Sequence, residues 1–446
     1  MATATKLTRW NALIEQLNRA RRISDELFGI LHPHALYQRP IAERHRIVFY
    51  IGHLEAFDWN LFLGERPLRL KPFDSAYDRL FAFGIDPLDG GLPNDQPDDW
   101  PALEKIYEYR QEVRRRLDEF LNSGESDESQ GKAEENSLSI LLHTAIEHRL
   151  MHAETLAYMF HRLPFDCKIL QRQPDWGGPE ARPQAIEIPS GSATLGLRRA
   201  GEDAFGWDNE FEAYRVNVPS FRIGQYMVTN AAYLQFVLDG GYRESRFWTP
   251  PDWAWITEKR IGHPAFWIED GNSWCYRGMF EPIAPPLDWP VYVSHAEASA
   301  YARWAGKDLP TEAQWHRAAY GEPGGSERAY PWGNDQRFEG KGNFDFARWD
   351  AAPVQSAVNN VSAFGVVGML GNGWEWTSNE FAPFAGFQPF SFYPGYSANF
   401  FDGKHCVMKG GSSRTAAALL RPSFRNWFQP HYQYVYAGFR CVSNEN

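Results

Sequence analysis

"AIEHRLMHAETL", residues 145–156, carries two histidines four positions apart in a stretch with helical periodicity. Side chains at that spacing leave one face of an α-helix with Cβ atoms about 5–6 Å apart, so the imidazoles of His148 and His152 can both reach one ion. Such a pair is half of a metal site if another helix supplies a further ligand, and an ordinary polar face if none does. From Leu7 to about Arg162 the apolar residues recur at helical spacing, in segments near 7–31, 40–63, 101–121 and 136–162. Four such segments predict a four-helix bundle, a fold in which facing helices project ligands inward. In "RHRIVFYIGHLEAFDWNLF", residues 44–62, His53 lies among apolar residues, whereas His45 sits near the helix start among charges and is expected to face solvent. His53 is therefore the expected third ligand. Three neutral imidazoles would hold a divalent first-row metal at roughly 2.0–2.2 Å and leave positions open, and the ligand types do not separate zinc from iron.

The length of 446 residues predicts two domains. An apolar content of 43% with 15% aromatics fits a folded globular chain, and no uninterrupted apolar run reaches membrane length. The opening "MATATKLTRWNALIEQL" moves straight into amphipathic helix without the apolar core of a secretory signal, which predicts a cytoplasmic protein. A net charge of −11, from 45 basic and 56 acidic residues, disfavours nucleic-acid partners, whose phosphates are bound by clustered Lys and Arg. Cys167, Cys275, Cys406 and Cys441 are scattered and predict reduced thiols.

Residues 122–136, "NSGESDESQGKAEEN", are polar and acidic and predict a mobile loop inside the bundle. The domain boundary is expected at "QRQPDWGGPEARPQ", residues 171–184, a Pro/Gly-rich linker between a helical domain at 1–170 and a second domain at 185–446. That second domain mixes short strands, many turns and three helices, "NAAYLQFVLDG", "SHAEASAYARWAG" and one launched by "LPTEAQWHRAAYG". In the last of these Thr311 and Gln314 form a capping box. An irregular α+β fold held by aromatic packing is expected, with Trp374 and Trp376 in its core and Glu375 satisfying buried backbone donors.

The segments "MVTNAAYLQFV", "PVYVSHAEASAYARWAGKDLPTEAQWHRAAYG", "YPWGN" and "GMLGNGWEWTSNEF" resemble the formylglycine-generating-enzyme (sulfatase-modifying factor) fold, a C-type-lectin-like scaffold, over most of residues 185–446. Those enzymes do copper chemistry with cysteines after a GGS motif. Here that segment reads "GGSSRTAAALLRPSFRNW", without a cysteine, so their activity is not expected. A DinB-like four-helix bundle followed by this domain resembles the EgtB family of ergothioneine biosynthesis, nonheme iron sulfoxide synthases. His148, His152 and Glu154 match the family's HxxxHxE segment, and His53 matches its histidine on the second helix.

The resemblance implies Fe(II) at His53, His148 and His152, and O2-dependent C–S bond formation between a thiol and the imidazole C2 of hercynine, the trimethylated betaine of histidine. It implies a proton-donating tyrosine, matched by Tyr393 in "FYPGYS" with Tyr396 as neighbour and alternative. It also implies substrate contacts at Asn426 and Trp427, the latter offering an aromatic face to the trimethylammonium group. Phe428 stands where members using γ-glutamylcysteine carry Asp, and Met151 replaces a common Gln, so a neutral wall replaces polar groups. Cysteine is the expected donor, with a selenosugar, as in the related selenoneine synthases, as the alternative. Arg421 and Arg425 are candidates to hold a carboxylate. The rival reading from another class is a non-catalytic small-molecule-binding protein.

Overall fold

The computed structural model describes the chain except residues 1, 64–73, 86–91, 124–131, 172–183, 200–204, 272 and 445–446; at 2–8, 132–137 and 444 it describes the backbone alone. The chain divides into two compact units, the first holding residues 1–171 and 205 and the second, among the described residues, 184–199 and 206–444.

The first unit contains α1 (Ala2–Gly29), α2 (Ile47–Leu63), α3 (Ser75–Phe83), α4 (Leu103–Asn122) and α5 (Lys132–Arg162). Helix α2 buries Val48, Phe49, Ile51, Leu54, Trp59 and Phe62, apolar nearly all round, because it packs against α3, α4 and α5 at once. Helix α4 is amphipathic in the ordinary way. Ile106, Tyr109, Val113, Leu117 and Leu121 face inward at helical spacing, each contributing roughly 1.5–3 kcal/mol by burial, while Arg115 pairs with Glu112 and Glu119 outside.

Three expectations change. Helix α3 was not among the four segments; it starts where Asp74 accepts hydrogen bonds from the amides of Ala76 (3.0 Å) and Tyr77 (3.1 Å). The second segment becomes helical at Ile47 rather than at 40, because Arg46 is pulled back to the Tyr37 carbonyl (2.8 Å) and to Asp95 (2.9 Å), holding residues 40–46 in turns. His45 is half-buried against the Phe49 ring (4.1 Å between centroids) instead of facing solvent. The expected loop at 122–136 and linker at 171–184 fall mainly on 124–131 and 172–183, outside the described residues.

The second unit is built on β1 (Ala185–Ile188), β2 (Gly191–Leu195), β3 (Tyr214–Val218), β4 (Phe221–Gly224), β5 (Trp267–Asp270), β6 (Ser273–Arg277), β7 (Pro282–Ile283), β8 (Gly373–Glu380), β9 (Cys406–Gly411), β10 (Asn426–Phe428), β11 (Ala437–Gly438) and β12 (Val442–Asn444). These pair in small sheets ordered β10-β9-β8-β11, β1-β4-β12, β5-β6-β7 and β2-β3. The expected helices form as α6 (Asn230–Leu238), α8 (His295–Trp304) and α9 (Glu312–Tyr320), and α9 has the Thr311/Gln314 capping box. A further helix between α6 and α8, α7 (Pro250–Lys259), is capped by Thr249 with Pro at its first position.

Trp315, Tyr320, Phe344, Met369 and Leu370 pack in one buried cluster with the sheet residues Ile188, Phe221 and Ile223. Trp374 and Trp376 are buried as expected. Glu375 is not a backbone acceptor. It is fully buried and receives the Arg440 guanidinium at 2.9 and 3.0 Å and the Trp315 indole N–H at 3.0 Å. All four cysteines are free: Cys167, Cys406 and Cys441 are buried and Cys275 is half-buried. Among the described residues no helix is long and apolar enough to cross a membrane.

Candidate metal centre and aromatic site

In the first unit, α2 presents His53 to His148 and His152 on α5, and one ring nitrogen from each lies within 4.8 Å of the others. His148 is buried, and His53 and His152 are half-buried, so the cluster has an accessible side. The Nε2 atoms of His53 and His152 are 3.3 Å apart. Two ligands bound at about 2.1 Å to one ion subtend about 3.0 Å at a right angle and 3.4 Å at the tetrahedral angle, so this pair already has a shared-ligand separation.

The tautomer of His53 is fixed. Its Nδ1 lies 2.7 Å from the Phe81 carbonyl, which can only accept, so Nδ1 carries the proton and Nε2 keeps its lone pair for an ion. Phe81 O is available because it belongs to the last turn of α3, where carbonyls have no helical partner. The approach depends on Gly52: a Cβ there would lie 2.4 Å from the Phe81 ring.

Burial pushes the His53 pKa down to about 4, and burial together with neighbouring positive groups pushes His148 and His152 well below the usual imidazole range. All three are neutral at pH 7, the form that binds metal. The Nδ1 atoms of His148 and His152 are buried without a hydrogen-bond partner, and the Phe57 ring stacks on His148 at 3.4 Å between centroids. A trio of neutral nitrogen donors with a carbonyl-fixed tautomer fits a first-row divalent metal. Met151 is half-buried on α5 between the two histidines.

In the second unit β10 carries Asn426, Trp427 and Phe428, all half-buried, in antiparallel register with Met408, Val407 and Cys406 of β9. Trp427 stacks on Phe381 (4.0 Å, 7°) and meets Tyr396 edge-on at 5.5 Å, and Tyr396 stacks on Trp207 (3.9 Å). The Tyr393 ring is 5.5 Å from that of Tyr396. Burial, and then the charge of Asp208, raises the Tyr393 pKa, so its hydroxyl stays protonated at neutral pH. The structure thus brings Tyr393, Tyr396 and Trp427 into one aromatic group. Phe428 points into a different contact, stacked on Tyr432 at 4.9 Å. Asn426 Oδ1 accepts from the Trp427 amide at 2.9 Å.

The arginines are engaged internally. Arg421 binds the buried Glu210 (Nε to Oε2, 2.8 Å), and Arg425, 3% exposed, binds Glu312 (3.1 Å) while its guanidinium lies over the Phe384 ring. Lys409 completes the set by donating to the carbonyls of Pro422 (3.0 Å) and Phe424 (2.6 Å). Each arginine is thus paired with a carboxylate of the chain itself, Glu210 or Glu312, and helps to brace residues 421–427.

Phe57, the Phe81 carbonyl, Trp207 and Asp208 were not singled out from sequence. Phe57 alone had a readable signal, since it sits four residues after His53 and shares its helical face.

Residues 175–445 match the sulfatase-modifying factor enzyme 1-like domain, and residues 16–156 match the DinB superfamily. The chain is 40% identical to a hercynine oxygenase of Mycolicibacterium smegmatis over 272 residues, covering 60% of this chain and 62% of that protein. It is 28% identical to ergothioneine biosynthesis protein 1 of Neurospora crassa over 500 residues, covering 91% of this chain and 55% of that protein. A formylglycine-generating enzyme of Streptomyces coelicolor is 33% identical over 241 residues, 46% of this chain and 73% of that protein. The chain spans less than two thirds of the length of the hercynine oxygenase and the fungal protein. With a DinB superfamily domain followed by a sulfatase-modifying factor enzyme 1-like domain, and relatives of these names, the chain belongs to the EgtB family.

Proposed function

We propose that the chain is a cytoplasmic, iron(II)- and O2-dependent enzyme of ergothioneine biosynthesis that joins the sulfur of cysteine to the imidazole C2 of hercynine as a sulfoxide. The observation that carries this reading is the trio of neutral histidine nitrogens on α2 and α5, within 4.8 Å of one another, in a chain of this family. The balance is simple: the thiol S–H and the imidazole C–H bonds break and a C–S bond forms. One atom of O2 goes to sulfur, and the other leaves as water with the two hydrogens. Iron(II), when bound, supplies the one-electron chemistry that O2 requires and gathers the reactants at one centre.

The protein's own groups do the rest. His53, His148 and His152 are the ligands, and the Phe81 carbonyl orients His53. Tyr393, protonated at neutral pH, holds the proton delivered during coupling, with Tyr396 beside it. Trp427 offers its face to the trimethylammonium group, with Asn426 next to it on β10. Met151 and Phe428 bring no charge to the donor, which favours a small thiol over γ-glutamylcysteine, whose extra charged head group would be desolvated without a partner. The Phe428–Tyr432 stack also makes a flat aromatic face of the sort that suits a sugar, and this supports a second reading, C–Se bond formation with a selenosugar.

The test is anaerobic loading with Fe(II), admission of O2, and mass spectrometry of hercynine products with cysteine, γ-glutamylcysteine and selenosugar in competition. A cysteine sulfoxide product supports the first reading, and a C–Se product moves the assignment to the second. A higher kcat/KM for γ-glutamylcysteine than for both others overturns the roles given to Phe428 and Met151. Hercynine binding without O2 uptake in any mixture would mark a non-catalytic binding protein.

A further inference from the structure

Between the ligands His148 and His152 stands a fully buried cation, Arg149, whose guanidinium crosses from α5 to α2. It donates to both oxygens of Glu55 (3.1 and 2.9 Å), to Asp58 Oδ2 (2.7 Å) and to the backbone carbonyl of Leu54 (2.8 Å), the residue next to His53. Glu55 and Asp58 are themselves buried on α2, two and five residues after His53. Arg114 of α4 grips Glu55 from the other side at 2.7 and 2.9 Å and reaches Asp25 of α1 at 2.7 and 2.9 Å. One network therefore ties α1, α2, α4 and α5 together at the level of the histidines.

We infer that Arg149 is a positioning residue for the metal centre: its fork, seated on Glu55, Asp58 and the Leu54 carbonyl, sets the rotation and rise of α2 against α5 and so the distance from His53 to His148 and His152. The inference rests on the metal reading of the three histidines. The geometry needs arginine. A planar guanidinium satisfies a bidentate carboxylate, a second carboxylate and a carbonyl together, whereas the shorter, tetrahedral ammonium of lysine keeps the charge but loses the fork. Contacts outside the ligand shell typically change metal affinity by about 10–100-fold when removed.

The test uses Co(II), whose visible bands report ligand number and geometry without turnover. Arg149→Lys and the milder Asp58→Asn are titrated beside the wild type and Leu117→Ala, a core truncation on α4 that lowers stability without touching the network. The expected result is a dissociation constant raised about 10-fold or more, with altered bands, in Arg149→Lys and Asp58→Asn. Leu117→Ala should retain the wild-type affinity and spectrum. If Arg149→Lys does not fold, Asp58→Asn decides. Folded variants of the pair that bind Co(II) like the wild type overturn the clamp and leave the metal reading standing. An equal loss in Leu117→Ala also overturns it, since the effect would then be general destabilisation. A wild type that binds no Co(II) refutes the metal reading and the clamp with it.

Discussion

Acidifying the metal-free protein should unfold it by a route that belongs to the histidine trio. His53 has a pKa of about 4 in the fold and about 6.5 in an unfolded chain. The folded state therefore resists a proton that the unfolded state accepts. Stability is unaffected well above pH 6.5, falls as the pH drops through 6.5, and levels off below about 4. Between pH 7 and pH 5 this single difference removes about 2 kcal/mol, because each unit of separation is worth about 1.4 kcal/mol and roughly a unit and a half is traversed. His148 and His152 are shifted in the same direction and add to the loss. The assay is urea unfolding in chelator at half-unit pH steps, comparing wild type with His53→Gln, which keeps a polar side chain but does not titrate. The wild type should lose at least about 2 kcal/mol more than the variant over that interval. A saturating divalent metal should raise the stability of the wild type evenly between pH 7 and 5 and carry the fall on below pH 4, where protons begin to compete with the ion for the folded nitrogens. Parallel pH profiles for wild type and His53→Gln would refute the argument, because His53 would then titrate alike in both states.

Tyr393→Phe keeps the ring and removes the hydroxyl. Hercynine binding should survive while coupling slows or diverts to thiol oxidation, and an unchanged product distribution would reduce Tyr393 to packing. Trp427→Ala should weaken hercynine binding by about 10–30-fold, matching a cation–π contribution near 2 kcal/mol, with a smaller effect on unmethylated histidine. Equal losses by calorimetry for both ligands would remove the cation–π role. Glu375→Leu leaves the Arg440 guanidinium buried without its carboxylate and should destabilise the second unit by about 3–5 kcal/mol in denaturant unfolding; a loss under 1 kcal/mol would show that the pair is replaceable.

The parts of the fold legible in sequence were those with local causes. The HxxxH spacing, the capping box at Thr311 and the apolar run around His53 each follow from contacts within a few residues. Helix α7 was hidden because "PPDWAWITEK" opens with two prolines and carries two tryptophans, which reads as turn and aromatic loop. Only the Thr249 cap and the tolerance of the first turn for proline make it a helix. Arg421 and Arg425 stand in sequence as candidates to hold a carboxylate, and the carboxylates they meet in the fold, Glu210 and Glu312, lie 211 and 113 residues away, beyond the reach of any local pattern. Glu375 departs from expectation for a related reason: its partner Arg440 is 65 residues downstream, and burial alone does not say whether a carboxylate meets amides or a guanidinium. The outer contacts of the histidines were equally non-local, since the Phe81 carbonyl lies 28 residues from His53 on a helix of only nine residues.

The state of the four cysteines bears on survival in the presence of the proposed reactants. A protein that handles a thiol beside O2 is exposed to sulfenic acid formation and mixed disulfides, and thiolates are the species attacked. Burial pushes Cys406 and Cys441 up to about 12 and raises Cys167 as well, so these sulfurs remain protonated and out of reach at physiological pH. Only Cys275 has partial access to solvent, and its sulfur lies 3.8 Å from a carboxylate oxygen of Asp270. Three of the four sulfurs are thus kept chemically quiet beside the thiol donor that we propose.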